Sequence, residues 1–109
     1  MSKILVIDDD DDIRFLVEDV GHIAKASVIE GVEYLLKLVE PTDICRVYLD
    51  IKGVGELHQM IDLCKKTQIE ISLTTGGSEA AIAFGKAMAV VKNIMIYNKI
   101  DMLKMLEDA

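Results

Sequence analysis

The sequence predicts an open, parallel α/β sheet covered by helices on both faces, built as a single domain over residues 1–109. Short, fully apolar, β-branched runs recur along the chain, as strands buried on both faces of a parallel sheet require, and Ile4-Leu5-Val6-Ile7 is the clearest of them. Each run is followed by apolar residues at helical spacing, so strands and helices alternate. The length of 109 residues, with 51% hydrophobic and 28% charged, supplies one core and is too apolar for a disordered tail.

Taken in order, the first strand covers 4–7. Ile13, Leu16, Val17 and Val20 mark a first helix, with acids at its start and Gly21 as its C′ stop. A weak second strand falls at 23–26. Ser27 and Glu30 form a capping box ahead of Val28, Val32, Leu35, Leu36 and Val39, and Pro41 closes that helix. Strand three is predicted at 44–49, and Leu57, Met60, Ile61 and Cys64 stripe the third helix. Ile69, Ile71 and Leu73 give strand four. Gly76-Gly77-Ser78 makes a turn and cap for a fourth helix carrying Ile82, Gly85, Met88 and Ala89. Strand five is expected at 94–97, and Asp101 as the cap of a short last helix of two turns reaching Ala109.

Charge and cysteine usage narrow the function classes. Twelve Lys and Arg against 19 Asp and Glu leave a net charge of −7, which disfavours nucleic acid and anionic membranes as partners. The longest apolar runs, at 80–84 and 87–91, fall far short of the about 18 residues that span a bilayer. Met1-Ser2-Lys3 leads directly into the first strand with no secretory signal, so a cytoplasmic location is expected. Cys45 and Cys64 have no metal-site spacing and are expected to be reduced, Cys64 as a small buried hydrophobe. His22 and His58 read as isolated, solvated residues.

Open parallel sheets bind ligands beyond the carboxyl ends of their strands. There this chain has Asp8-Asp9-Asp10, Asp50, Thr74-Thr75 and Lys99. In a flavodoxin-like strand order of 2-1-3-4-5, strands one and three are neighbours, so Asp9 or Asp10 shares a crevice with Asp50. Carboxylates that close repel unless a cation neutralises them, and all-oxygen ligation is the preference of Mg²⁺. Lys99 adds a positive group and a threonine a hydroxyl, which suits a tetrahedral trianion attached to a carboxylate, hence phosphoryl transfer onto an aspartate. Asp11 and Asp12 read as a solvated helix start.

These motifs resemble the receiver domain of two-component response regulators over the whole chain. The opening at 4–14 is similar to the family's I-L-V-V-D-D-x-x-x-I-R start, Tyr48-Leu49-Asp50-Ile51 to its L-L-D-hydrophobic strand end, and the stretch 73–79 to L-T-A-x-G-S-E. Asn98-Lys99-Ile100 stands at x-K-P. The resemblance implies that Asp50 is the phosphoacceptor and that Mg²⁺ is held by Asp9, Asp50 and the Lys52 backbone carbonyl, with Asp10 or Asp8 acting through water. It further implies that Thr74, or Thr75 beside it, and Lys99 bind the phosphoryl oxygens. The expected partners are a histidine kinase or phosphotransfer protein and a downstream protein, with the chain a monomer or weak dimer. It would be no enzyme beyond catalysing its own phosphorylation and dephosphorylation, and no output domain would follow.

The chain departs from the family at several positions. The methionine–proline pair usual after the phosphoacceptor is missing, Ile100 replaces the proline after the lysine, and the spacing from Thr74 to Lys99 is longer by about one helical turn. Ile96 occupies the position of the family's aromatic switch, and Tyr97 is expected on the other side of the strand. Those departures motivate the alternative of a receiver-like interaction module that is not phosphorylated. A flavodoxin-like binder of a small ligand is disfavoured by the acid cluster. Asn98-Lys99-Ile100-Asp101 also spells the guanine-reading N-K-x-D, but no phosphate-binding G-x-x-x-x-G-K-[ST] follows strand one.

Overall fold

Five strands pair in parallel in the order β2-β1-β3-β4-β5, as the alternating pattern predicts. The computed structural model describes residues 3–38, 44–51, 54–76 and 78–108. Its elements are β1 Lys3–Ile7, α1 Asp11–Asp19, β2 Ile23–Lys25, α2 Val28–Lys37, β3 Ile44–Asp50, α3 Val54–Thr67, β4 Glu70–Thr75, α4 Glu79–Lys92, β5 Ile96–Asn98 and α5 Lys99–Asp108. Val39, Pro41, Lys52 and Gly77, which carry expectations above, lie outside the described residues.

Strand side chains alternate between two apolar clusters. Leu5, Ile7, Val47, Leu49 and Leu73 pack under α2, α3 and α4, with Leu57, Met60 and Cys64 contributed by α3. Ile4, Val6 and Tyr48 pack under α1 and α5 against Val17, Met102 and Leu106. Burial of Cys64 pushes its thiol up to about 11, which suits the inert role its position in the α3 stripe predicts.

Caps end the helices largely where the sequence places them. Ser27 Oγ accepts from Glu30 N while Glu30 Oε2 accepts from Ala26 N, and Ser78 Oγ accepts from Ala81 N. Gly21 takes a left-handed φ of 89° after α1, as a C′ residue should.

Four expectations are corrected. Strand five begins at Ile96, because Asn93 ends α4 in the left-handed conformation and Ile94 N still donates to Ala89 O, at 3.0 Å. The last helix starts at Lys99 and runs ten residues, about three turns, and its cap is Asn98 in place of Asp101. Asn98 Oδ1 accepts from Asp101 N at 2.8 Å, and the Asp101 carboxylate accepts from Asn98 Nδ2 in return. Leu16 and Leu36 sit on the apolar stripes of α1 and α2 yet are exposed, since each helix meets the sheet along a narrower face than its stripe. His22 is buried instead of solvated. Its Nδ1 accepts from Ile4 N and its Nε2 lies 3.1 Å from Leu106 O, tying β1 to the end of α5.

Candidate functional site

Register decides which polar residues meet. Ile7, Leu49, Leu73 and Ile96 form one row across β1, β3, β4 and β5, so the next row runs Asp8, Asp50, Thr74 and Tyr97. Asp50 and Thr74 are paired residues and share a face. Thr75 has the opposite pleat, and its Cγ2 packs so close to α4 that a Cβ placed on Gly85 would stand 2.6 Å from it. Of the two threonines, Thr74 therefore belongs to the site and Thr75 to the packing of α4.

The acidic group comprises Asp8, Asp9 and Asp50, whose carboxylates each bring an oxygen within 4.8 Å of the others. Asp8 and Asp50 are buried and Asp9 is exposed. Asp10 is used differently: its Oδ1 accepts from Asp12 N and Ile13 N and caps α1. Asp8 is the organiser of the loop. Its Oδ1 accepts from Asp10 N at 2.9 Å, and its backbone carbonyl accepts from Arg14 Nη1 at 2.9 Å, while Arg14 is itself ion-paired with Asp11.

Lys99 opens α5 and turns its side chain back over the sheet edge. Its ammonium stands 2.9 Å from Asp8 Oδ2 and 3.4 Å from Asp50 Oδ2. Burial lowers its pKa, but the two carboxylates outweigh that effect and the net shift is upward, so it stays charged. Thr74 is fully buried, and its hydroxyl has no hydrogen-bond partner among the described residues. A buried free hydroxyl costs stability, which makes it a donor in wait for an oxygen-bearing group.

The cleft beside this group has a volume of about 260 Å³ and is lined by Asp8, Asp9, Asp50, Ser27 and Glu56 among others. That is below the roughly 300–1,000 Å³ of small-molecule sites and argues against a flavodoxin-like cofactor. Glu56, in the first turn of α3, was not singled out from the sequence, because only the fold carries it to the acids. Arg14 stood within the opening motif without a role, and its tether on the Asp8 carbonyl is likewise tertiary. The set of hard oxygen donors fits Mg²⁺, and Asp8, Asp9 and Asp50 are the residues that would hold it. The Lys52 carbonyl expected to join them lies outside the described residues.

Tyr97 packs edge-on against Tyr48, ring centroids 5.9 Å apart, on the α5 face, whereas Ile96 packs toward α4. The position at which the resemblance expects an aromatic residue is thus aliphatic.

Fold and site together define a class: a doubly wound α/β protein whose sheet edge gathers three carboxylates, a lysine and a buried threonine hydroxyl. No protein-family model and no curated protein matches the sequence. In structure, the chain is similar to a response regulator receiver domain protein from Clostridium thermocellum, with a TM-score of 0.65 over 99% of this chain and 93% of that one, at 21% identity. The chain has the fold of that receiver domain, and Asp8, Asp9 and Asp50 form a cluster that could hold a metal ion. Among the described residues no helix is long and apolar enough to cross a membrane.

Proposed function

We propose that this chain is a phosphoacceptor switch: Asp50 takes a phosphoryl group from a histidine kinase or phosphotransfer protein and passes the signal on by protein contact. The observation that carries the reading is the convergence on Asp50 of a charged lysine, two further carboxylates and a buried hydroxyl that has no partner among the described residues. In the step, an Asp50 carboxylate oxygen forms a bond to phosphorus as the bond from phosphorus to the donor's nitrogen or oxygen breaks, and the leaving group carries away that electron pair. Lys99 and Thr74 hold phosphoryl oxygens as charge spreads over them. Bound Mg²⁺ would supply charge neutralisation for those oxygens. Hydrolysis of the acyl phosphate by water returns Asp50 to its carboxylate.

Occupation of Asp50 would withdraw Lys99 from its present partners and shift the loops after β3 and β4, and with them the face of α4 and β5, where Val90, Val91 and Met95 are exposed. The test is intact-mass measurement after incubation with acetyl phosphate and Mg²⁺. A single phosphoryl adduct is expected on the wild type and none on Asp50→Asn or without Mg²⁺. An unmodified wild type would favour the alternative of an unphosphorylated interaction module, and an equal adduct on the variant would remove Asp50 from its role.

A further inference from the structure

The Lys99 side chain reaches the carboxylates by crossing Gly76, which follows β4. A Cβ placed on Gly76 would stand 2.9 Å from Lys99 Cε, 3.1 Å from Cδ and 3.4 Å from Nζ. The first of these is closer than carbon atoms approach without repulsion. Lys99 is the flexible partner, with a stem that can rotate away at little cost, so a methyl group at position 76 moves Lys99 and leaves the backbone in place. Rotation away draws the ammonium off Asp8 and Asp50, which it now meets at 2.9 and 3.4 Å from the first turn of α5.

We propose that Gly76 is a positioning residue whose missing side chain is what allows Lys99 to hold its ammonium between Asp8 and Asp50. Backbone freedom is not its purpose. Among the described glycines only Gly21 has a positive φ, so alanine at 76 meets no left-handed backbone and the substitution alters the space above the chain alone. The sequence showed Gly76 only as part of a turn. Its spatial role rests on the meeting of β4 and α5, far apart in the chain, and the longer spacing between Thr74 and Lys99 gives no hint of it.

The effect on phosphoryl transfer rests on the phosphoacceptor reading above, but the placement of Lys99 does not. Two measurements therefore separate the claims. Lys99 is acetylated with an N-hydroxysuccinimide ester under native conditions and followed by peptide mapping in wild type, Gly76→Ala and Gly55→Ala. Gly55 in α3 is the control for adding a methyl group, because nothing lies within 4 Å of a Cβ there. Acetylation at position 99 is expected to rise severalfold in Gly76→Ala and to stay at the wild-type rate in Gly55→Ala. The same Gly76→Ala protein is expected to form the acetyl-phosphate adduct more slowly than wild type. Equal acetylation of Gly76→Ala and wild type would overturn the proposal, as would an equal rise in Gly55→Ala. A wild type that forms no adduct, with the acetylation contrast intact, would sink the phosphoacceptor reading and leave the role of Gly76 standing.

Discussion

Replacing Lys99 with methionine is expected to destabilise the metal-free protein by about 3–5 kcal/mol, the scale for removing one partner of a buried ion pair. The Asp8 side chain is fully buried and that of Asp50 nearly so, and the Lys99 side chain is 20% exposed. Without the ammonium, two carboxylates face each other with a third close by and little water to screen them. Mg²⁺ is expected to restore most of the loss, because it fills the same need for positive charge.

The pH dependence follows from the raised pKa of Lys99. A cation whose folded pKa exceeds its unfolded value of 10.5 contributes stability that is complete below that value and lost as pH rises through the folded one. Urea unfolding of wild type and variant should therefore differ near neutral pH and converge in strong alkali. Equal stability at neutral pH without metal would contradict the account of the pair.

The second large effect is expected at His22, away from the site. Substitution by leucine keeps the apolar bulk but strands Ile4 N–H and Leu106 C=O, both of which the imidazole now satisfies. At about 1–3 kcal/mol for each of the two buried groups left unpaired, the loss should be about 2–6 kcal/mol. Hydrogen exchange is expected to accelerate at Ile4 and through the last turn of α5 before it does so elsewhere. A variant within about 0.5 kcal/mol of wild type, the range of ordinary surface substitutions, would show that the imidazole bonds contribute little.

His22 also marks where the sequence stops being informative. An isolated histidine after a helix-ending glycine has no periodic signal, and its partners belong to β1 and α5. Glu56 and Gly76 are alike in this respect, since each gains its meaning from an element distant in the chain. Asp8, Asp50, Thr74 and Lys99 were legible for the opposite reason. Parallel strands end at one edge, so the polar residue at the end of each apolar run necessarily arrives there.

Finer choices needed register. Thr74 and Thr75 both follow an apolar run, and only the pairing of Thr74 with Asp50 separates them. Asp10 stands in a run of five aspartates, and only the bonds of its carboxylate to the α1 backbone mark it as the cap of that helix. Ile94 and Met95 have strand-like side chains, yet β5 starts after them because the left-handed Asn93 holds Ile94 against the end of α4. Asn98 and Asp101 are both good capping residues, and the one that lies before the first helical turn took the role.

Asp50, the proposed phosphoacceptor, can be identified chemically. Borohydride reduces an aspartyl phosphate to homoserine, and trypsin cleaves at Arg46 and Lys52, isolating position 50 in a short peptide. After treatment with acetyl phosphate and Mg²⁺, homoserine is expected at position 50 in that peptide, with intact aspartate at positions 8 and 9 in the peptide that ends at Arg14. Homoserine at position 8 or 9, or aspartate retained at all three, would contradict the assignment of Asp50.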